Sequence, residues 1–276
     1  MFTLNIKGKR YSYTSPAVMG IINITPDSFY AGSRKMDLDR VLEQADRMLS
    51  DGATFLDLGG QSTRPSSERL SPGEEIERVI PAIDAIMEKY PQCLLSIDTF
   101  YAQVAVAAVR SGASIVNDIS GGQLDDLMID TVGALHTPYI CMHMKGTPQT
   151  MQRLTQYNDI VPEMTAYFEQ RISRCASAGI RDVIIDPGFG FAKNIEQNLH
   201  VLKQLDHFQS LQKPILVGLS RKSTVYKTLG TTAEKALNGT TVLHTLALLK
   251  GASILRAHDV QEAVECVKLC EAYQGA

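Results

Sequence analysis

The chain has 276 residues, enough for a sizeable buried core in one barrel or a small two-domain enzyme. With 27 Lys and Arg against 30 Asp and Glu, a net charge of −3 and 44% hydrophobic residues, its composition excludes a disordered or fibrous protein. No Lys/Arg-rich block supplies the basic field on which nucleic-acid binding rests, so nucleic acid is not an expected partner; small anions need only a local cluster.

Residues 1–16 carry lysines and an arginine but no apolar run of signal-peptide length, and read as a short N-terminal extension of a cytoplasmic chain. The longest apolar stretches, such as 241–249, fall short of the ~18 residues of a membrane span. Short β-branched or apolar runs then recur at 18–23, 54–59, 94–99, 114–119, 138–143, 182–187, 214–220 and 253–258, separated by segments of helical period. Ser71-Pro-Gly-Glu74 offers an N-cap, a proline at the first helical position and a capping-box Glu ahead of a helix over 75–90. Thr231-Thr-Ala-Glu234 offers the same box to a helix running towards Lys250. Four helical patterns end at a glycine and pass directly into a strand, at Gly52, Gly112, Gly179 and Gly251, as left-handed C-caps would. The apolar Val242, Leu246 and Leu249 of the late helix have two places to pack, a partner or the barrel, and the barrel is the plainer expectation.

Period alone leaves two α/β folds open, a doubly wound sheet and a closed barrel. Polar residues separate them, because they gather at C-terminal strand ends: Asn23, Asp57, Asp98, Asn117, His143, Asp186 and Ser220, then Lys222, Arg256 and His258. A barrel projects all of these into one mouth, whereas an open sheet strings them along its rim. The expectation is therefore one (β/α)8 TIM-barrel domain over 1–276. Five cysteines without a C-x-x-C pair suggest no disulfide framework, and Cys266 and Cys270, on one helix face, read as buried apolar residues rather than metal ligands.

Within the mouth, Asn23-Ile-Thr-Pro-Asp-Ser-Phe29 is ordinary turn chemistry. Gly59-Gly-Gln-Ser-Thr-Arg-Pro65 combines backbone freedom, two hydroxyls and a guanidinium, and reads either as an anion or aromatic-amide site or as a simple turn. Asp98, Asn117 and Asp186 could read the amidine-like face of a heterocycle, since carboxylates accept from paired N–H groups and an amide does both; each could also cap a turn. Asp186-Pro-Gly-Phe-Gly-Phe191 joins an acid to two aromatic rings, Ser220-Arg-Lys-Ser223 sets Lys222 between hydroxyls, and Arg256-Ala-His258 puts a guanidinium and an imidazole on one face. His136, His143, His200, His207 and His244 read as structural.

Together with Ser96-Ile-Asp-Thr99, Val116-Asn-Asp-Ile-Ser120 and Met142-His-Met144, these motifs resemble, in order and over nearly the whole chain, those of bacterial dihydropteroate synthases, a family built on a pterin-binding barrel. The resemblance implies a transferase of folate biosynthesis that condenses 6-hydroxymethyl-7,8-dihydropterin diphosphate with p-aminobenzoate, giving 7,8-dihydropteroate and diphosphate. It implies that Asp98, Asn117, Asp186 and Lys222 hold the pterin, with Thr63 near its bridging region. Arg256, His258 and Asn23 would meet the diphosphate, Asn23 being the position used towards Mg2+, and Arg64, Pro65, Phe29, Phe191 and Ser223 would shape the p-aminobenzoate pocket. Asp27, Arg64, Lys222, Arg256 and His258 would carry the chemistry, in a homodimer of the kind targeted by sulfonamides. Departures exist: Tyr30-Ala31-Gly32-Ser33 stands where many members have Ser-Asp-Gly-Gly, and Gln61 and Ser66 replace the common Glu and Gly. Ala31 motivates an alternative, a catalytically impaired pterin-binding protein, and the shared barrel another, a pterin-dependent methyltransferase.

Overall fold

The computed structural model describes residues 1–24, 34–61 and 69–276, with the backbone alone at 34–37. Within them the chain runs β1 (Phe2–Ile6), β2 (Lys9–Tyr13), β3 (Ala17–Asn23), α1 (Arg34–Ser50), β4 (Phe55–Gly59), α2 (Pro72–Lys89), β5 (Leu95–Asp98), α3 (Ala102–Ser111), β6 (Ile115–Asp118) and α4 (Met128–Leu135). It continues through β7 (Tyr139–Met142), α5 (Ile160–Ser177), β8 (Val183–Asp186), α6 (Ile195–Lys203), β9 (Leu216–Val217), α7 (Ser223–Thr228), α8 (Leu237–Leu249), β10 (Ile254–Ala257) and α9 (Val260–Gly275). Eight strands pair in parallel in the order β8-β7-β6-β5-β4-β3-β10-β9, and a bridge from Ile185 to Ile215 joins the two ends of that sheet. The architecture is the (β/α)8 barrel that the strand-end chemistry predicted.

The barrel strands are buried on both sides along most of their length. Outward residues such as Ile22, Leu58, Ile97, Val116 and Ile185 belong to one core with helical Val79, Ile83, Val104, Phe168 and Phe208. Inward residues at the N-terminal end, Met19, Phe55, Ile115, Ile140, Ile184, Leu216 and Ile254, form a second core that plugs the barrel floor. The hairpin β1–β2 closes that end from outside: Phe2, Leu4 and Ile6 are buried against the plug, each contributing about 1.5–3 kcal/mol of transfer free energy. Its two-residue turn, Lys7 (φ +50°) and Gly8 (φ +76°), lies wholly in the left-handed region that a tight hairpin demands. With one end sealed by apolar side chains, a ligand site can open only at the other.

The capping box at α2 forms as expected, with the Glu74 amide donating to Ser71 Oγ (3.3 Å) and the Ser71 amide to Glu74 Oε2 (2.8 Å). All four helix-ending glycines have left-handed backbones, at φ +99°, +123°, +83° and +91° for Gly52, Gly112, Gly179 and Gly251. The box at 231–234 does not form. Arg221 Nη1 takes the carbonyls of Ala233 (3.0 Å) and Glu234, which closes this segment into turns, and α8 starts only at Leu237. Val242, Leu246 and Leu249 also depart from expectation: they are 51%, 45% and 44% exposed, while α8 buries Thr240, His244, Ala247 and Leu248 instead. The strand over 214–220 shortens to Leu216–Val217, after which the chain turns to deliver Ser220 and Lys222. All five cysteines are free and buried, and among the described residues no helix is long and apolar enough to cross a membrane.

Gly133 marks a close helix contact, since a Cβ there would overlap the carbonyl oxygen of Ala178 beyond α5. Gly133→Ala should lower unfolding free energy by about 1–3 kcal/mol, read as a lower urea midpoint at constant slope; an unchanged midpoint would contradict this contact.

Candidate active site

Parallel register brings the strand ends level, pairing Gly59 with Asp98 and Asp98 with Asn117. One row deeper, Asp57 of β4 points inward between apolar neighbours that point outward, and it is completely buried. Arg256 of β10 reaches across the barrel to both acids, donating from Nε to Asp57 Oδ2 (2.6 Å) and from Nη2 to Asp98 Oδ2 (2.7 Å). Asn117 Nδ2 donates to the same Asp57 oxygen at 3.0 Å. Burial opposes the guanidinium's charge, but Asp57 and Asp98 outweigh it and hold Arg256 more firmly protonated than usual. The Asp98 carboxyl moves upward, first through burial, which Arg256 opposes and the acids Asp57, Asp118 and Asp186 reinforce.

Asp186 ends β8 and accepts from the Gly188 amide at 2.7 Å; burial raises its carboxyl while Lys222 pulls it down. Lys222 donates to the Phe189 carbonyl (2.6 Å) and sits 4.8 Å from the centroid of the Phe191 ring. Burial lowers the Lys222 ammonium to about 8, against the restoring pull of Asp186. Lys193, also buried, lies 3.0 Å from His143 Nδ1 and donates to the carbonyls of Gly188 (3.2 Å) and Phe191 (3.1 Å). Two ammonium groups thus bind three carbonyls of one turn. Gly188, at φ +68°, is required there, because any Cβ would overlap the His143 carbonyl.

His258 follows β10, and Ser220 Oγ holds it twice, accepting from its amide (3.1 Å) and lying 3.0 Å from Nδ1. In the tautomer where the seryl hydroxyl donates to Nδ1, the neutral ring carries its proton on Nε2, where a ligand can accept it. The protein around the ring, then Arg256, Arg221 and Lys222, keep His258 below the ordinary histidine value. Asn23 is exposed at the end of β3, its Oδ1 beside Gly59, and Ser223 opens α7 directly after Lys222.

Asp98, Asn117, Asp186, Lys222, Arg256 and His258 therefore surround one mouth, with Asn23, Phe191 and Ser223 on its elements. Asp27, Phe29, Ala31, Thr63, Arg64 and Pro65 lie outside the described residues. Sequence reasoning named Asp57 as a strand-end acid but gave it no task; its signal was a lone carboxylate in an otherwise apolar strand. The sequence gives no role to Ser220, and nothing in it distinguishes Lys193 from a surface lysine. His143 and His244 are buried.

Residues 19–258 match the family described as pterin binding enzyme. The chain belongs to the pterin-binding enzyme family. Its relative named dihydropteroate synthase in Escherichia coli is 38% identical, over 98% of this chain and 96% of that protein. A crystal structure of Yersinia pestis dihydropteroate synthase with a sulfonamide drug complex superposes with a TM-score of 0.93 at 38% identity, covering 100% of both chains. A Coxiella burnetii dihydropteroate synthase in complex with pteroic acid superposes with a TM-score of 0.88 at 37% identity, covering 99% of each chain.

The resemblance expects Lys222 to hold the pterin as a charged donor. Lys222→Ala should weaken binding of 6-hydroxymethylpterin by roughly 1.5–3 kcal/mol, measured calorimetrically. In the wild type, affinity should hold below about 8 and decline above it as the free protein's ammonium deprotonates. Titrating Lys222→Ala separates that decline from ionisation of the pterin itself; the same decline in both proteins would remove Lys222 from this role.

Proposed function

We infer that this chain is a dihydropteroate synthase, joining 6-hydroxymethyl-7,8-dihydropterin diphosphate to p-aminobenzoate. The observation that carries the reading is the assembly of Arg256, Asp98, Asn117, Asp186 and Lys222 at one mouth, in a chain similar from end to end to dihydropteroate synthases. In the reaction the bond between the pterin's exocyclic methylene and the diphosphate oxygen breaks, the leaving group keeps the electron pair, and the arylamine nitrogen attacks the methylene and sheds a proton. Positive charge on the pterin falls among Asp98 and Asp186, while the departing anion meets the donors Arg256 leaves free and His258 Nε2. The amine is neutral near pH 7, so no strong base is needed.

Phe191 and Ser223, with Phe29, Arg64 and Pro65, are proposed for the p-aminobenzoate side, Thr63 for the pterin's bridging region, and Asp27 for the closing loop, on the strength of the family resemblance. Mg2+ fits this mouth as an ion accompanying the diphosphate. The described residues contain no cluster of three acids, histidines or cysteines that could hold a metal, yet Asn23 supplies one hard amide oxygen at the rim, and Mg2+ commonly takes few protein ligands beside substrate phosphates. Bound there, it would neutralise charge developing on the leaving group. Purified protein given both substrates and Mg2+ should release dihydropteroate and diphosphate in equal amounts, and much less after chelation. Absence of product from folded protein would overturn the reading.

The same reading includes a cytoplasmic homodimer inhibited by sulfonamides that occupy the arylamine's place. The exposed Val242, Leu246 and Leu249 of α8, and Leu269 (72% exposed) and Tyr273 (74%) of the adjacent α9, support pairing through these helices. Sedimentation should give a dimer that Leu246→Glu converts to a monomer; a monomeric wild type would refute the pairing.

A further inference from the structure

We propose that Asp57 is a positioning residue of the transfer reaction: one buried carboxylate fixes Arg256 and Asn117 together, so that the leaving-group cation and the pterin-reading amide are held as a single rigid unit. The inference rests on the dihydropteroate synthase reading above.

Asp57 has no exposed surface, so it acts only through what it holds. Its Oδ2 accepts from Arg256 Nε at 2.6 Å and from Asn117 Nδ2 at 3.0 Å, while Oδ1 has no hydrogen-bond partner among the described residues. Asp98 takes Nη2 of the same guanidinium at 2.7 Å. Nε and Nη2 form one side of the planar group, so two carboxylates fix its orientation and the opposite end, Nη1 with the outer Nη2 proton, is left for a ligand. The two acids are not equivalent. The Asp98 side chain is 15% exposed at the mouth and is expected on the pterin, so substrate competes for it; Asp57 is inaccessible and holds Arg256 throughout. Because Asn117 shares the same oxygen, displacing Arg256 disturbs the pterin amide as well.

Asp57→Asn keeps the shape and removes the charge. In folded protein it should lower kcat by roughly 10- to 100-fold, the scale of a charge-assisted hydrogen bond, weaken inorganic diphosphate binding, and leave KM for p-aminobenzoate within about twofold. In an Arg256→Gln background it should have no further effect on diphosphate affinity, whereas a purely structural acid would add its full effect. Wild-type kcat and diphosphate affinity in Asp57→Asn, or additivity in the double variant, would overturn the proposal. Should Asp57→Asn not fold, the wild-type protein decides: with 15N-arginine labelling, the Nε–H signal lost in Arg256→Lys should exchange slowly with water, and rapid exchange would overturn it. A wild type that makes no dihydropteroate overturns the functional reading instead.

Discussion

A guanidinium held between two carboxylates inside a barrel is the constraint on which the rest of this mouth depends. Removing Arg256 from water is costly, and it is tolerated because Asp57 and Asp98 approach to 2.6 and 2.7 Å. That requirement fixes sequence elsewhere. Strand β4 must carry an acid in an apolar run, β5 must end in one at the matching register, and β6 must place an amide where it can share the deeper acid's oxygen. The apolar plug beneath excludes water from below, so those contacts operate in a setting where they are stronger than at a surface.

The other side of the mouth follows a different logic. There the backbone, rather than a side chain, needs fixing, and the turn after β8 exposes carbonyls that no strand or helix satisfies. Lys193 and Lys222 take three of them, so the position of the Phe191 ring and the Asp186 carboxylate follows from buried lysines. Lys193 gives hydrogens to two carbonyls and has its third contact at His143 Nδ1. Lys222 keeps two to offer, and so is the one suited to a ligand.

Much of this was legible in the sequence, for reasons that are local. A glycine between a helical pattern and a strand run has one cheap conformation, and all four such glycines adopt it. Polar residues at the ends of apolar runs implied a shared mouth, because a barrel alone makes them converge. What escaped was decided between distant segments. The box at 231–234 is intact as a pattern, but Arg221, held by Asp259, captures its carbonyls. The outward turn of Val242, Leu246 and Leu249 depends on how α8 lies on the barrel, which a helical period does not specify. The hairpin β1–β2 was readable, from alternating Phe2, Leu4 and Ile6 before a Lys-Gly turn, yet residues 1–16 passed as an extension because they lack a parallel-strand signature.

The charge balance explains how such a site can release its products. The deep acids Asp57, Asp98, Asp118 and Asp186 outnumber the deep cations Arg256, Lys193 and Lys222, and burial raises Asp98 and Asp186 towards their neutral forms. Cationic strength is restrained in turn: Arg256 is already paired, Lys222 is lowered to about 8, and His258 is held towards neutrality. A free mouth built this way is a poor trap for a bare anion. It stabilises separated charge, cation over the acids and anion at the rim, better than either charge alone, and a bond that ionises across that boundary is the event it favours most.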